Sequence, residues 1–155
     1  MMLNEIFNQE DDFEKLINQL LNTEFKLQSI YPKMARQATK AETKEYFSSL
    51  TQQANDQIIR LEELCEIYDI NLDSLENFEI NAMMLEAEKM TLNSASNNNI
   101  SITDHELLET AEKIKMQEKY YINSAINLAQ QLHFMEAVDI LSLTSPEIYY
   151  RVNAS

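Results

Sequence analysis

Apolar residues return every three or four positions along most of this chain. In the N-terminal part the spaced positions are Phe13, Ile17, Leu20, Glu24, Leu27, Tyr31 and Met34. Steps of four and three in alternation place them on one stripe of an α-helix, the kind that packs into a bundle. The pattern predicts a first helix from about Asp11 to Gln37. Glu10, Asp11 and Asp12 stand at its positive N-terminal end, and Arg36 and Lys40 stand near its negative end. Pro32 falls inside this helix, and its missing N–H predicts a kink in the last turns.

A second stripe runs Phe47, Leu50, Ala54, Gln57, Leu61, Leu64 and Tyr68, flanked by Ile58 and Cys65. Thr39-Lys40-Ala41-Glu42 has the spacing of a capping box and predicts the helix start. From Asp69 to Thr103 the periodicity weakens. A shorter helix is expected from about Phe78 to Leu92, through Met83, Met84, Ala87 and Met90. The polar run from Asn93 to Asn99 is expected to be a flexible loop. A second box, Thr103-Asp104-His105-Glu106, opens a third stripe of Leu107, Ala111, Ile114, Glu118, Tyr121, Ala125, Leu128 and Leu132. The last long element is expected over Met135 to Leu143. Ser145-Pro146-Glu147 then reads as a new helix start, with proline at the first helical position.

Two helical pairs joined by a long middle connection predict an all-α, antiparallel four-helix bundle with a short extra helix in that connection. The length, 155 residues, is that of one domain, so residues 1–155 are expected to fold together. The chain has no glycine. Hairpin turns rely on glycine, so a β-rich fold is not expected, and phosphate-cradling loops and the nucleophile elbow of serine hydrolases are excluded.

Charge narrows the partners. Twelve basic residues stand against 26 acidic ones, a net of −14. Nucleic acid and anionic membrane surfaces repel such a chain. Cations, a basic protein partner, or a second copy of the chain suit it better. The N-terminus lacks a basic, apolar leader, and no stretch reaches the roughly 20 apolar residues of a membrane span. The single cysteine, Cys65, forms no internal disulfide, which suits a reducing compartment. A cytoplasmic location is expected.

The candidate chemistry lies in polar residues on apolar stripes. Glu24, Gln57 and Glu118 each interrupt a seam. A buried carboxylate costs several kcal/mol unless it is paired, protonated or bound to metal. Two readings therefore stay open: ordinary salt-bridged glutamates, or glutamates facing each other across a bundle metal site. Neither histidine completes a Glu-x-x-His pair, because Ile102 and Gln130 stand where the glutamates belong. His105 and His133 read as surface or capping residues. Cys65 and the methionines read as core filling.

The joint register of several short motifs resembles the YciE/YciF family of ferritin-like stress proteins. The similarity spans about Leu20 to Glu147. It is carried by Thr-Glu-Phe-Lys-Leu (23 to 27), Tyr-Pro-Lys-Met-Ala (31 to 35), Gln-Ile-Ile-Arg-Leu-Glu (57 to 62), Ala82-Met83, Ala-Glu-Lys-Ile-Lys-Met-Gln-Glu (111 to 118) and Ala-Gln-Gln-Leu (129 to 132). The resemblance implies a ferritin-like bundle, often a dimer, with a carboxylate-rich di-metal site. Carried over position by position, Glu24, Gln57 and Glu118 match. The family's second-helix histidine and glutamate fall on Leu50 and Gln53, and the glutamate of its Ala-Met-Glu segment falls on Met84. The first glutamate of its Glu-x-x-Glu falls on Lys115. In the last helix only Glu147 remains.

The metal candidates are therefore Glu24, Glu118 and Glu147. Two metal ions want about four carboxylates and often two histidines. The expectation is a degenerate site, with Lys115 pairing to Glu24 or Glu118 in place of metal. The leading expectation is a non-enzymatic, stress-associated structural or binding protein that acts as a homodimer, with no cofactor. The competing one is a metal-binding oxidoreductase holding iron or manganese. A third is an adaptor offering an acidic helical face to a basic partner.

Overall fold

The computed structural model describes residues 2–72, 82, 84–91 and 103–144. These residues form five helices: α1 (Met2–Gln37), α2 (Ala41–Ile67), α3 (84–91), α4 (Asp104–Gln131) and α5 (Met135–Thr144). No strand occurs among the described residues. The expected all-α bundle with a short middle helix is present. The C-terminal piece expected after Ser145, the loop at Asn93 to Asn99 and Glu147 lie outside the described residues.

α1 packs against α2 and α4, and α5 packs against α4 and α2, closing a ring of four. Cross-helix pairs set the directions. Gln9 at the start of α1 bonds Gln131 at the end of α4, while Thr39 beyond the end of α1 bonds Asp104 at the start of α4. These two helices are therefore antiparallel. Tyr68 reaches Ala137 and Arg60 reaches Leu143, so α2 and α5 are antiparallel too.

The apolar stripes become the core. Every seam position named in α1 is buried. So are those of α2 as far as Leu64, while Tyr68 is half-buried. The core has two halves. One gathers Leu27, Tyr31, Met34, Phe47, Leu50, Leu107, Ala111 and Ile114, and α3 adds Met84 and Ala87 to it. The other gathers Phe13, Ile17, Leu20, Leu61, Leu64, Ile122 and Ala125, and α5 adds Ala137 and Leu141. The short helices thus complete opposite halves.

Three expectations need correction. α1 begins at Met2, well before Asp11, so the acidic trio lies within the helix. The fully buried stripe of α4 runs Glu118, Ile122, Ala125 and Ala129, and Tyr121 and Leu128 are only half-buried. A straight helix turns every 3.6 residues, so a strict 3.5 pattern drifts off the seam over several turns. Finally, Thr39 is not the N-cap of α2. That place belongs to Lys40, whose side chain makes no capping bond.

The cap of α2 comes from another helix. Asp104, at the first turn of α4, accepts from the backbone N–H groups of Thr39 (2.8 Å) and Lys40 (2.9 Å) and from the Thr39 hydroxyl (3.1 Å). The α4 start follows its expected box, with the Thr103 hydroxyl accepting from Glu106 N–H.

At the other ends, Asp69 (φ 53°) and His133 (φ 61°) take the left-handed conformation that usually selects glycine. Ile70 N–H then bonds the Cys65 carbonyl, and Phe134 N–H bonds the Ala129 carbonyl, each at 2.8 Å. A chain without glycine uses Asp and His for these turns. Pro32 sits within α1, which continues through it to Gln37.

Candidate functional site

A polar layer separates the two core halves. It is made of Glu24 from α1, Gln57 from α2 and Lys115 with Glu118 from α4, all buried. Helical spacing explains the layer. Glu24 falls between Leu20 and Leu27 on the buried stripe of α1. Glu118 falls between Ile114 and Ile122, and Lys115 lies three residues before it. Ala111, one turn before Lys115, is fully buried and small. These positions turn their side chains to the same interior as the leucines around them.

Lys115 Nζ lies 3.1 Å from Glu118 Oε1, with both side chains almost wholly removed from solvent. The same ammonium lies 5.5 Å from the centre of the Tyr31 ring, an attractive cation–π placement. Glu24 belongs to the same group. Burial pushes its carboxyl well above the usual carboxylate range. The Glu118 charge and a hydrogen bond with Glu118 push it the same way, and the Lys115 ammonium opposes them.

No N–H or O–H donor among the described residues reaches either Glu24 oxygen. A proton on Glu24 supplies what is missing, because a carboxylic acid donates where a carboxylate only accepts. A proton on Glu24 leaves Lys115 and Glu118 as the ion pair of the layer. The Tyr31 hydroxyl is buried without a hydrogen-bond partner. Burial, then the Glu118 and Glu24 charges, push its phenol well above the ordinary range. It stays a neutral phenol.

The structure brings together two of the three metal candidates, Glu24 and Glu118, and Glu147 lies outside the described residues. Among those residues no group of three or more His, Cys, Asp or Glu converges as a metal cage would. Leu50 and Met84, standing where the resemblance places ligands, are core residues. Gln53 has a buried amide oxygen without a partner. His105 is an exposed residue paired with Glu109 at 3.0 Å, and Cys65 is buried in the second core half, where burial raises its thiol to about 11. Lys115 is the member of the group that periodicity did not single out. Tyr31 stands on the α1 stripe two turns beyond Glu24, where the pattern does not distinguish it from a core aromatic.

Comparison with known proteins agrees with this architecture. Residues 5–148 match the model of a family described as a domain of unknown function, DUF892. No curated protein matches the chain. Among solved structures, the E. coli stress protein YciF superposes with a TM-score of 0.80 at 22% identity, covering 92% of this chain and 89% of that one. YcfI of Rhodopseudomonas palustris, provisionally described as a structural protein, superposes with a TM-score of 0.79 at 19% identity, with coverage of 92% and 89%. The all-α ferritin-like fold is shared with both.

Proposed function

This chain belongs to the DUF892 family, and from that premise we propose that it is a non-catalytic helical scaffold whose centre is closed by its own ion pair. One observation carries this reading: the Lys115 ammonium is buried against Glu118 at 3.1 Å, in the layer where Glu24 also lies. A dinuclear iron or manganese centre, which the ferritin-like resemblance implies, does not suit these residues. Among the described residues, two carboxylates and an ammonium offer too little negative charge. Two unit charges roughly 4 Å apart interact by about 4 kcal/mol at an effective dielectric near 20, so a dication there is opposed by about 8 kcal/mol. Tyr31, held neutral by burial, adds no anionic ligand.

The scaffold's role is structural or binding, and it is stress-associated. The described role of the E. coli neighbour supports the second point, and that of the R. palustris neighbour supports the first. No described helix is long and apolar enough to cross a membrane, in keeping with a cytoplasmic setting. The chain works as a homodimer. Met116 and Tyr120, one turn apart on α4, expose large apolar area that a second copy would cover. The net charge of −14 directs any further partner toward basic proteins.

The competing reading is a metal-binding oxidoreductase using Glu24, Glu118 and Glu147, and the meeting of Glu24 with Glu118 favours it. Metal analysis of protein purified without chelator, with thermal melts in added iron(II) or manganese(II), separates the two. The scaffold carries well under one equivalent of metal and melts at an unchanged temperature. Stoichiometric metal, or a melt raised by several degrees, assigns the protein to the metal class. Sedimentation at two concentrations tests the dimer.

A further inference from the structure

We infer that position 115 decides whether this bundle holds a divalent cation: the Lys115 ammonium serves as the resident cation between Glu118 and the Tyr31 face, and replacing it with a neutral or acidic side chain opens a cation site on Glu24 and Glu118. The inference rests on the metal-free reading above and extends it to a single deciding residue.

Geometry supports it first. The ammonium lies 3.1 Å from Glu118 Oε1, an ion-pair distance, although neither atom makes a directed hydrogen bond there. It also faces the Tyr31 ring at 5.5 Å, so one cation already has an anion and an aromatic face. Both Lys115 and Glu118 are buried, so a second cation beside the first would also have to give up its water. The unused capacity is also visible. Both Glu24 oxygens and both Glu118 oxygens are buried without a hydrogen-bond donor from the described residues, as is the Tyr31 hydroxyl. Those are buried oxygen atoms of the kind that coordinate a hard cation.

Charge then sets the outcome. With both carboxylates ionised the layer sums to −1 while Lys115 is charged, and a dication must sit beside another cation. Substitution by a neutral residue leaves −2 once an incoming dication displaces the Glu24 proton into solvent, matched to that one dication. Substitution by glutamate leaves −3 and adds a third ligand. In α4 positions 115 and 118 are one turn apart, so a carboxylate at 115 stands on the same face as Glu118. The pattern of chemistry is oxygen-rich, which suits manganese(II) better than soft metals.

The experiment titrates manganese(II) into full-length wild type, Lys115→Gln and Lys115→Glu. Loss of the free-ion electron paramagnetic resonance signal reports binding, and thermal melts report folding. Wild type shows no saturable site at the layer. Lys115→Glu takes up one manganese(II) per chain, with affinity roughly a hundredfold or more above wild type, and its melt rises on metal addition. Lys115→Gln binds more weakly than Lys115→Glu but above wild type. If Lys115→Glu is unfolded without metal, refolding on manganese(II) supports the inference. Lys115→Gln keeps an amide donor for Glu118 and tests the same point without extra charge. Metal-free wild type together with folded variants that bind no manganese(II) overturns this inference and leaves the scaffold reading standing. Wild-type binding abolished by Glu24→Gln or Glu118→Gln overturns both. Wild-type binding indifferent to those two substitutions overturns the scaffold reading alone.

Discussion

Lys115 and Glu118 are each expensive to bury, and each is tolerable because the other is there. Removing one partner leaves an uncompensated charge. Lys115→Met is therefore expected to destabilise the fold by about 3–5 kcal/mol in chemical denaturation, and a change near zero would mean that both groups are solvated. Glu24 contributes a pH dependence of its own. Its folded carboxyl is raised well above 4.5, so its favourable share is present below the unfolded value and is lost as pH rises toward the folded value. Across that window the slope is at most about 1.4 kcal/mol per pH unit. Glu24→Gln removes the titration, so the variant gains stability relative to wild type as pH climbs above 4.5. Parallel curves for the two proteins would contradict the assignment. Glu24 and Glu118 were legible in the sequence as polar breaks in apolar stripes. Their meeting was not, because periodicity gives each residue's face and not the register between helices. Lys115 lies beside the seam by periodicity, and only the family resemblance pointed to it.

At the scale of elements, the instructive residue is Asp104. It stands in the first turn of α4 and caps α2, 65 positions away from Thr39. Desolvation works against its ionised form, but the N–H groups of Thr39 and Lys40 and the hydroxyls of Thr43 and Thr39 outweigh it and hold the carboxyl at about 2. Asp104→Ala is expected to cost about 1–2 kcal/mol, the usual range for a lost cap. The contribution is complete above the unfolded value of 3.8 and disappears as pH falls through about 2, so wild type and variant should converge there in acid melts. Local spacing suggested Thr39 as the cap because a capping box is a local signature. The real donor–acceptor set is tertiary, and no pattern over four residues contains it. The left-handed turns were equally hidden. Both Asp69 and His133 tolerate a positive φ at a steric cost, and His133→Gly is expected to stabilise by about 1 kcal/mol, read from the denaturant midpoint.

For the whole molecule, the polar layer and the two short helices matter together. α3 completes the core half near the start of α4, and α5 completes the half near its end. Neither half has a full set of long helices to itself. The surface carries the net charge of −14, and self-repulsion of that size works against the compact state. Raising ionic strength from about 0.01 M to 0.15 M shortens the screening length from roughly 30 to 8 Å. The melting temperature should therefore rise with salt, by roughly 2–4 °C for each kcal/mol gained. The Lys115–Glu118 pair, being buried, should contribute nothing to that trend. A melt lowered by salt would place the dominant electrostatics in surface ion pairs instead.

By itself the sequence determined which residues lie inside. Stripes such as Phe13, Ile17, Leu20, Leu27 and Met34 need no partner to be recognised, because helical geometry converts spacing directly into a face. It also determined the class, since a chain without glycine and rich in helix formers has few other folds open to it. Tertiary structure decided the rest: that Glu24 meets Glu118, that Lys115 turns inward to neutralise one of them, and that Asp104 finishes another helix. These depend on how helices slide against one another, and that is settled by packing of the whole core and not by any single stripe.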